Sequence, residues 1–214
     1  MSRDDLFKAI DVADEATLKS ILAKDKSLAS SRSSDGVSAV LFTLYLAKYD
    51  LTRALLDHQP ELDMHDLAAL DRFEELADYL ETIADIDQMS GDGFSALHLA
   101  CFFGSLNAAG LLIEKGANVN IPAKNMSLLR PLHSACVAGQ GPIAALLLQA
   151  GAKVNVVQAG GYTPLMAAAS LGNAPVVDML LDYGADRAMT SDDTRCAADF
   201  AKAAGFDGLL ERLL

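Results

Sequence analysis

The sequence predicts an all-α repeat solenoid, and three observations predict it. One phrase recurs: Ser-Ala-Leu-His-Leu-Ala at 95–100, Arg-Pro-Leu-His-Ser-Ala at 130–135 and Thr-Pro-Leu-Met-Ala-Ala at 163–168, with starts 35 and 33 residues apart. Each phrase is followed by a second apolar stretch of helical spacing that stops at a glycine, namely Gly116, Gly151 and Gly184. Finally, the 214 residues are 51% hydrophobic but only 6% aromatic, with no tryptophan. Small and aliphatic side chains of this kind suit thin helices stacked closely.

The elements follow in chain order. Asp4–Ala13 and Glu15–Ala23 read as a polar first helix pair. Asp35-Gly-Val-Ser-Ala-Val40 echoes Asp92-Gly-Phe-Ser-Ala-Leu97 and opens the next pair, whose second helix spans about Leu51–Asp57. The chain then reaches Met64 after too few residues for an extended finger. Met64–Asp71 and Phe73–Leu80 form a pair that lacks the phrase; being internal and degenerate, it marks a seam in the stack or a change of curvature. Ser95–Lys115 and Arg130–Ala150 each read as helix–turn–helix, followed by fingers Gly116-Ala-Asn-Val-Asn120 and Gly151-Ala-Lys-Val-Asn155. Gly160-Gly161-Tyr162 makes a tight turn, Thr163 caps a helix over Leu165–Leu171, and Pro164 stands where a missing N–H costs little. Gly172-Asn173 separates it from a helix running from Pro175 to Tyr183. Ala197–Gly205 continues in phase, 33 residues after Thr163 at Cys196, and Phe206–Leu214 closes the stack as a last helix.

A period near 33 residues carrying Thr-Pro-Leu-His-x-Ala, with Gly-Ala-x-Val-Asn fingers, resembles the ankyrin repeat. The resemblance implies a stack of about seven helix pairs with short β-hairpin-like fingers. It divides the chain into an N-terminal cap (1–34), repeats at 35–61, 62–90, 91–125, 126–158 and 159–191, and a C-terminal cap (192–214). Terminal repeats must be atypical, because a polar outer face is needed where stacking stops. The repeats account for residues 1–214 as a single domain with no catalytic module. In that respect the chain resembles the small stand-alone ankyrin proteins common in bacteria.

Charge narrows the partners. The net charge is −12, which argues against nucleic acid and anionic membranes, since both need a basic footprint. Residues 1–90 carry 19 acidic against 9 basic side chains, and Asp57–Asp87 holds eleven acids opposed only by Arg72. Two readings stay open: a solvated face that keeps the protein monomeric, or steering of a basic partner. Three cysteines without a pairing pattern suggest a reducing compartment. No secretory h-region and no apolar run of about 20 residues is visible, so a cytoplasmic protein is the expectation.

Candidate chemistry is sparse. His98/Cys101 and His133/Cys136 each stand three residues apart and so could pair as base and nucleophile. The resemblance instead places both histidines where the ring braces the turn before the helix, and both cysteines where a small packed alanine belongs. Packed helices lie roughly 8–10 Å apart, beyond the ~7 Å Cα separation a disulfide tolerates. Arg130 replaces the hydroxyl residue that partners the phrase histidine, so a local hydrogen-bond adjustment at His133 is expected, with an anion contact as the alternative. Asp85-Ile-Asp87 followed by Gly91 has the wrong spacing for a calcium loop. Gly139-Gln-Gly141 follows a helix and lacks a third glycine, so it carries no dinucleotide implication. No metal or cofactor is expected.

The resemblance implies a partner lying across the fingers and the concave face of the first helices. Carried over, the variable positions are Phe102 and Phe103, Val137 and Ala138, Ser170 and Leu171, each pair preceding a glycine, with Phe94, Leu129 and Tyr162 before the phrase. This set is apolar, as interfaces often are. At least two of Phe94, Phe102 and Phe103 are exposed on one face, or one of the phenylalanines packs on the adjoining repeat. The finger from Asn120 to Arg130 is two residues longer than its successor, and carries Met126, Leu128 and Leu129 as a partner contact or as a plug over neighbouring fingers. The expected function is therefore a non-catalytic protein-binding adaptor or regulator. A secreted effector acting on a host protein is the alternative, and an enzyme the remote one.

Overall fold

Side-chain oxygens start most of the first helices. Ser38, Asp63, Ser95 and Thr163 each accept the N–H of the third residue of the helix that follows, which satisfies an amide that has no partner within the helix. The computed structural model describes residues 2–214. It contains α1 (Arg3–Asp11), α2 (Glu15–Lys24), α3 (Ala39–Tyr45), α4 (Tyr49–Leu56), α5 (Met64–Ala69), α6 (Phe73–Leu80) and α7 (Ala96–Phe103). These are followed by α8 (Leu106–Glu114), α9 (Pro131–Val137), α10 (Gly141–Gln149), α11 (Pro164–Ser170), α12 (Ala174–Asp182), α13 (Ala197–Ala203) and α14 (Leu210–Leu213). Within each pair the two helices pack on one another, α1 on α2, α3 on α4, and so on to α13 on α14. First helices stack from α3 through α13 in one layer, and second helices α6, α8, α10 and α12 in another. The fold is an all-α repeat stack.

Several boundaries differ from the sequence reading. The first helix ends at Asp11, because Ala13 turns left-handed at φ +56°. The final stretch is not one helix: a 3₁₀ turn at Asp207–Leu209 precedes the four-residue α14, and Gly208 inside that turn is a poor helix former. The loops before the first helices are closed by local hydrogen bonds, as between Ser90 N–H and the Phe94 carbonyl (2.8 Å), where the Ser90 hydroxyl also donates to that carbonyl (2.9 Å) and accepts the Phe94 N–H (3.2 Å). Among the described residues β-pairing is limited to isolated bridges, Arg32 with Ser38 and Met89 with Ser95.

Buried imidazoles tie the repeats of α7 and α9 to the ones that follow. His98 Nε2 lies 3.0 Å from the Leu129 carbonyl, and His133 Nε2 3.2 Å from that of Tyr162. A carbonyl only accepts, so Nε2 carries the proton and Nδ1 is the acceptor. His98 Nδ1 takes the Ser95 N–H (3.2 Å) and hydroxyl (2.8 Å). At His133 the adjustment caused by Arg130 is visible: only the Arg130 backbone N–H reaches Nδ1 (3.3 Å), and the guanidinium turns away to the Val157 carbonyl (2.9 Å). On the finger rim, Asn120 and Asn155 repeat the arrangement with amides. Asn120 donates to the Gly151 carbonyl (3.1 Å) and accepts from Lys153 N–H (2.8 Å); Asn155 donates to Gly184 (3.0 Å) and accepts from Asp186 N–H (2.8 Å).

The degenerate pair α5/α6 interrupts this order. One buried apolar cluster runs from Leu6 to Leu55 and another from Met64 to Leu213. A small group, Val37, Leu41, Leu44, Ala69 and Leu99, bridges them through the first helices. Asp66 occupies the histidine's place at the third residue of α5 and is 1% exposed. It accepts the Ser38 hydroxyl and the Asp63 N–H (3.3 Å), while Arg32 holds Asp63 at 2.8 Å and stands 4.0 Å from Asp66. His65, one residue earlier, makes the link forward to the Gln88 carbonyl at 3.0 Å.

These buried groups set the response to acid. Burial holds His98 and His133 down to about 4, from an ordinary 6.5. Burial and the Asp63 charge push Asp66 up to about 6 from 3.8, against the Ser38 hydrogen bond. The histidines contribute stability that is present above 6.5 and lost as pH falls towards 4, whereas protonating Asp66 below 6 favours the fold. Two groups oppose one, so the urea midpoint should fall between about pH 7.5 and about pH 4.5. A His98→Gln/His133→Gln variant should be less stable at the higher pH and show a flatter dependence. A wild-type midpoint that does not move would contradict this assignment.

Left-handed turn positions offer a second check. Gly104 ends α7 at φ +80°, but the corresponding residue after α3 is Ala47 at φ +53°. A left-handed alanine costs roughly 1–2 kcal/mol, and glycine's extra unfolded-state entropy takes back about 0.4–1 kcal/mol. Ala47 is exposed, so Ala47→Gly loses little packing and should raise stability by roughly 0.5–1 kcal/mol in urea titration.

Candidate protein-binding face

The expected binding positions fall into three places. Phe94, Phe102 and Leu129, joined by Tyr45, His98, Leu99 and Ser134, line an almost wholly apolar cavity of about 130 Å³ on the first-helix face. Val137, Tyr162 and Leu171, with His133, Gln158 and Phe200, line a wider cleft of about 310 Å³ in the following repeats. Met126 (94% exposed) and Leu128 project from the long finger. Phe103 goes to neither cleft: its ring packs 5.6 Å from Tyr45 of an earlier repeat and 5.2 Å from Phe102, edge to face. Among the three phenylalanines only Phe102 is exposed, at 42%, while Phe94 and Phe103 are half-buried.

Local structure explains each placement. Phe102 and Phe103 are adjacent in the last turn of α7, so they diverge by roughly 100° about the helix axis. One faces the neighbouring repeat and the other faces outward. Phe94 is positioned by the tight turn Ser90–Phe94 and packs 5.8 Å from the His98 ring. The long finger closes through Ala123 N–H to the Leu129 carbonyl (2.7 Å), and its two extra residues lift Met126 and Leu128 outward. Asn125 Nδ2 donates to the Asp92 carbonyl (2.8 Å), and Ala159 N–H to that of Ser127 (2.9 Å), pinning the finger to both neighbours. Leu128 adopts φ +53°, a strained backbone for a leucine.

Polar groups are few and directional. The Tyr45 hydroxyl donates to Asp92 at 2.6 Å, and burial together with that carboxylate keeps the phenol protonated. Gln158 Oε1, at the second cleft, is buried with no hydrogen-bond partner among the described residues. Arg195 lies over Phe200 at 4.3 Å, and Phe200 packs 5.5 Å from Tyr162. The sequence reading missed Tyr45, Leu99, Ser134, Gln158 and Phe200. Tyr45 was recoverable from register, because it stands seven residues after the cap Ser38, as Phe102 stands seven after Ser95.

The Cys–His pairs show no nucleophile chemistry. Cys101 and Cys136 are buried, unbridged and held as thiols by burial, Cys136 up to about 12 and Cys101 higher still. Only the thiolate is reactive, and both imidazoles are committed elsewhere, His98 to Ser95 and the Leu129 carbonyl and His133 to the Arg130 and Tyr162 backbone.

The comparisons give the family of this hydrogen-bonded helix stack. A model of ankyrin repeats, in three copies, matches residues 6–158 and 123–191. The chain belongs to the ankyrin-repeat family, whose repeats generally mediate protein–protein interaction and are typically non-catalytic. It is 36% identical over 132 residues to Ankyrin repeat protein nuc-2 of Neurospora crassa, covering 62% of this chain and 12% of that protein. It is 32% identical over 119 residues to Putative palmitoyltransferase ZDHHC13 of Danio rerio, covering 56% of this chain and 18% of that protein. The chain thus spans less than a fifth of either relative. No helix among the described residues is long and apolar enough to cross a membrane.

Thiol accessibility follows from this burial. In the native protein Ellman's reagent should label Cys196 far faster than Cys101 and Cys136, and all three should react in denaturant. Rapid native labelling of all three would refute the packing described for α7 and α9.

Proposed function

We propose that this protein is a non-catalytic adaptor or regulator that captures another protein across its first-helix face and fingers. The observation carrying this reading is the apolar cavity beneath Phe102, flanked by the cleft at Val137, Tyr162 and Leu171 and by the projecting Met126 and Leu128. A cavity of this size suits a single partner side chain, since an apolar cavity of ~150 Å³ accepts a benzene ring. Aromatic anchors in such central pockets tend to dominate binding energy. We assign residues 1–34 and 192–214 as caps and the intervening repeats, with the boundaries given above, as one binding domain.

The test uses exposed positions, so that lost binding is not lost folding. Phe102→Ala/Val137→Ala and Met126→Ala/Leu128→Ala variants should keep the wild-type melting temperature within a few degrees. Against a partner identified with wild-type protein, the first pair should weaken affinity by about 2 kcal/mol, roughly thirtyfold. Unchanged affinity in both variants would remove the assigned face.

A further inference from the structure

Neighbouring second helices pack on one another from α2 to α4 and from α6 through α8 and α10 to α12, but α4 and α6, like α12 and the four-residue α14 at the end of the stack, barely touch. The gap between them is a cleft of about 700 Å³, lined on the α4 side by Leu56, Gln59, Pro60 and Leu62 and on the other by Arg72, Glu75, Asp78 and Tyr79. Its volume is within the ~300–1,000 Å³ of ligand pockets. The local sequence explains it. The chain passes from Leu56 to Met64 without a finger, and the apolar core divides at this same step. Leu56, Leu62 and Tyr79 are therefore left half-buried beside the break.

We propose that this cleft is a second docking site, distinct from the first-helix face, and that it takes a short amphipathic helix of a partner protein with an apolar inner face and lysines or arginines outward. The shape argument is that the cleft replaces a helix–helix contact made at the adjoining steps, and a groove walled by helices receives an apolar helical stripe well. The charge argument fixes the polar side. Arg72 is engaged with Glu75 at 3.3 Å. Asp78 lines the cleft, and the exposed Asp57, Glu61 and Glu74 flank lining residues. The cleft lies within the Asp57–Asp87 stretch of eleven acids and one arginine. An acidic helix would meet like charge, whereas a basic one is steered in and held.

The site is tested on the full chain by fluorescence anisotropy with three labelled peptides of about twelve residues, ~18 Å as helix. One is a leucine/lysine helix with leucines at positions i, i+3, i+4 and i+7. The second has the same composition in permuted order, and the third replaces lysine by glutamate. The first should bind in a salt-sensitive manner, and the other two at least about tenfold more weakly. Glu75→Lys/Asp78→Lys, at exposed positions, should weaken the first peptide by at least about tenfold. Thr82 also lines the cleft and is exposed, so Thr82→Trp should do the same by occlusion. Phe102→Ala should leave binding unchanged. The proposal is overturned if the permuted peptide binds equally, if neither cleft variant weakens binding, if the leucine/lysine peptide does not bind at all, or if Phe102→Ala abolishes binding. That last result would move the peptide to the first-helix face; loss of the Phe102-dependent partner alone leaves this cleft untouched.

Discussion

The stack depends on satisfying finger backbone without a β-sheet. An extended finger presents carbonyls to a neighbour that is helical, and a buried carbonyl without a donor is costly. The Leu129 and Tyr162 carbonyls each take one backbone N–H within their own finger, from Ala123 and Gln158, and the His98 and His133 imidazoles add a second donor from the preceding repeat, one nitrogen accepting at their own helix start and the other donating to the finger beyond. That geometry needs a neutral ring, so it ties the fold to pH. Asn120 and Asn155 solve the same problem at the rim, with one amide serving as both donor and acceptor.

Where the device changes, the architecture changes with it. At α5 the imidazole position holds Asp66, a group that can accept but cannot donate when charged. The forward link shifts to His65, the polar cluster with Arg32 and Ser38 takes the place of apolar contact, and the two core clusters part. The first helices keep a thin apolar bridge there, while the second helices open into the cleft beside Leu62 and Tyr79.

The placement of the apolar side chains on the first-helix face follows from helix geometry and not from hydrophobicity. Phe102 and Phe103 are chemically identical neighbours, yet a rotation of roughly 100° sends one into a contact with Tyr45 and leaves the other at a cavity lip. The two added residues before Arg130 act in the same local way. They lengthen a loop whose ends are pinned, so the surplus projects outward with Leu128 in a left-handed backbone.

The repeat phase, the helix starts at Ser95 and Thr163, the glycine stops and the long finger after Asn120 were legible in the sequence, because each rests on contacts within a few residues of chain. Most of the variable positions could likewise be assigned to a face by counting from the cap. What counting could not reach was contact between repeats. The burial of Phe103 on Tyr45, the cavity under Phe102, the unpartnered Gln158 oxygen and the Asp66 cluster all join residues of different repeats. The cleft between α4 and α6 is of the same kind: the sequence marked its repeat as degenerate, but whether stacking bends or parts there is settled by packing between side chains far apart in the chain.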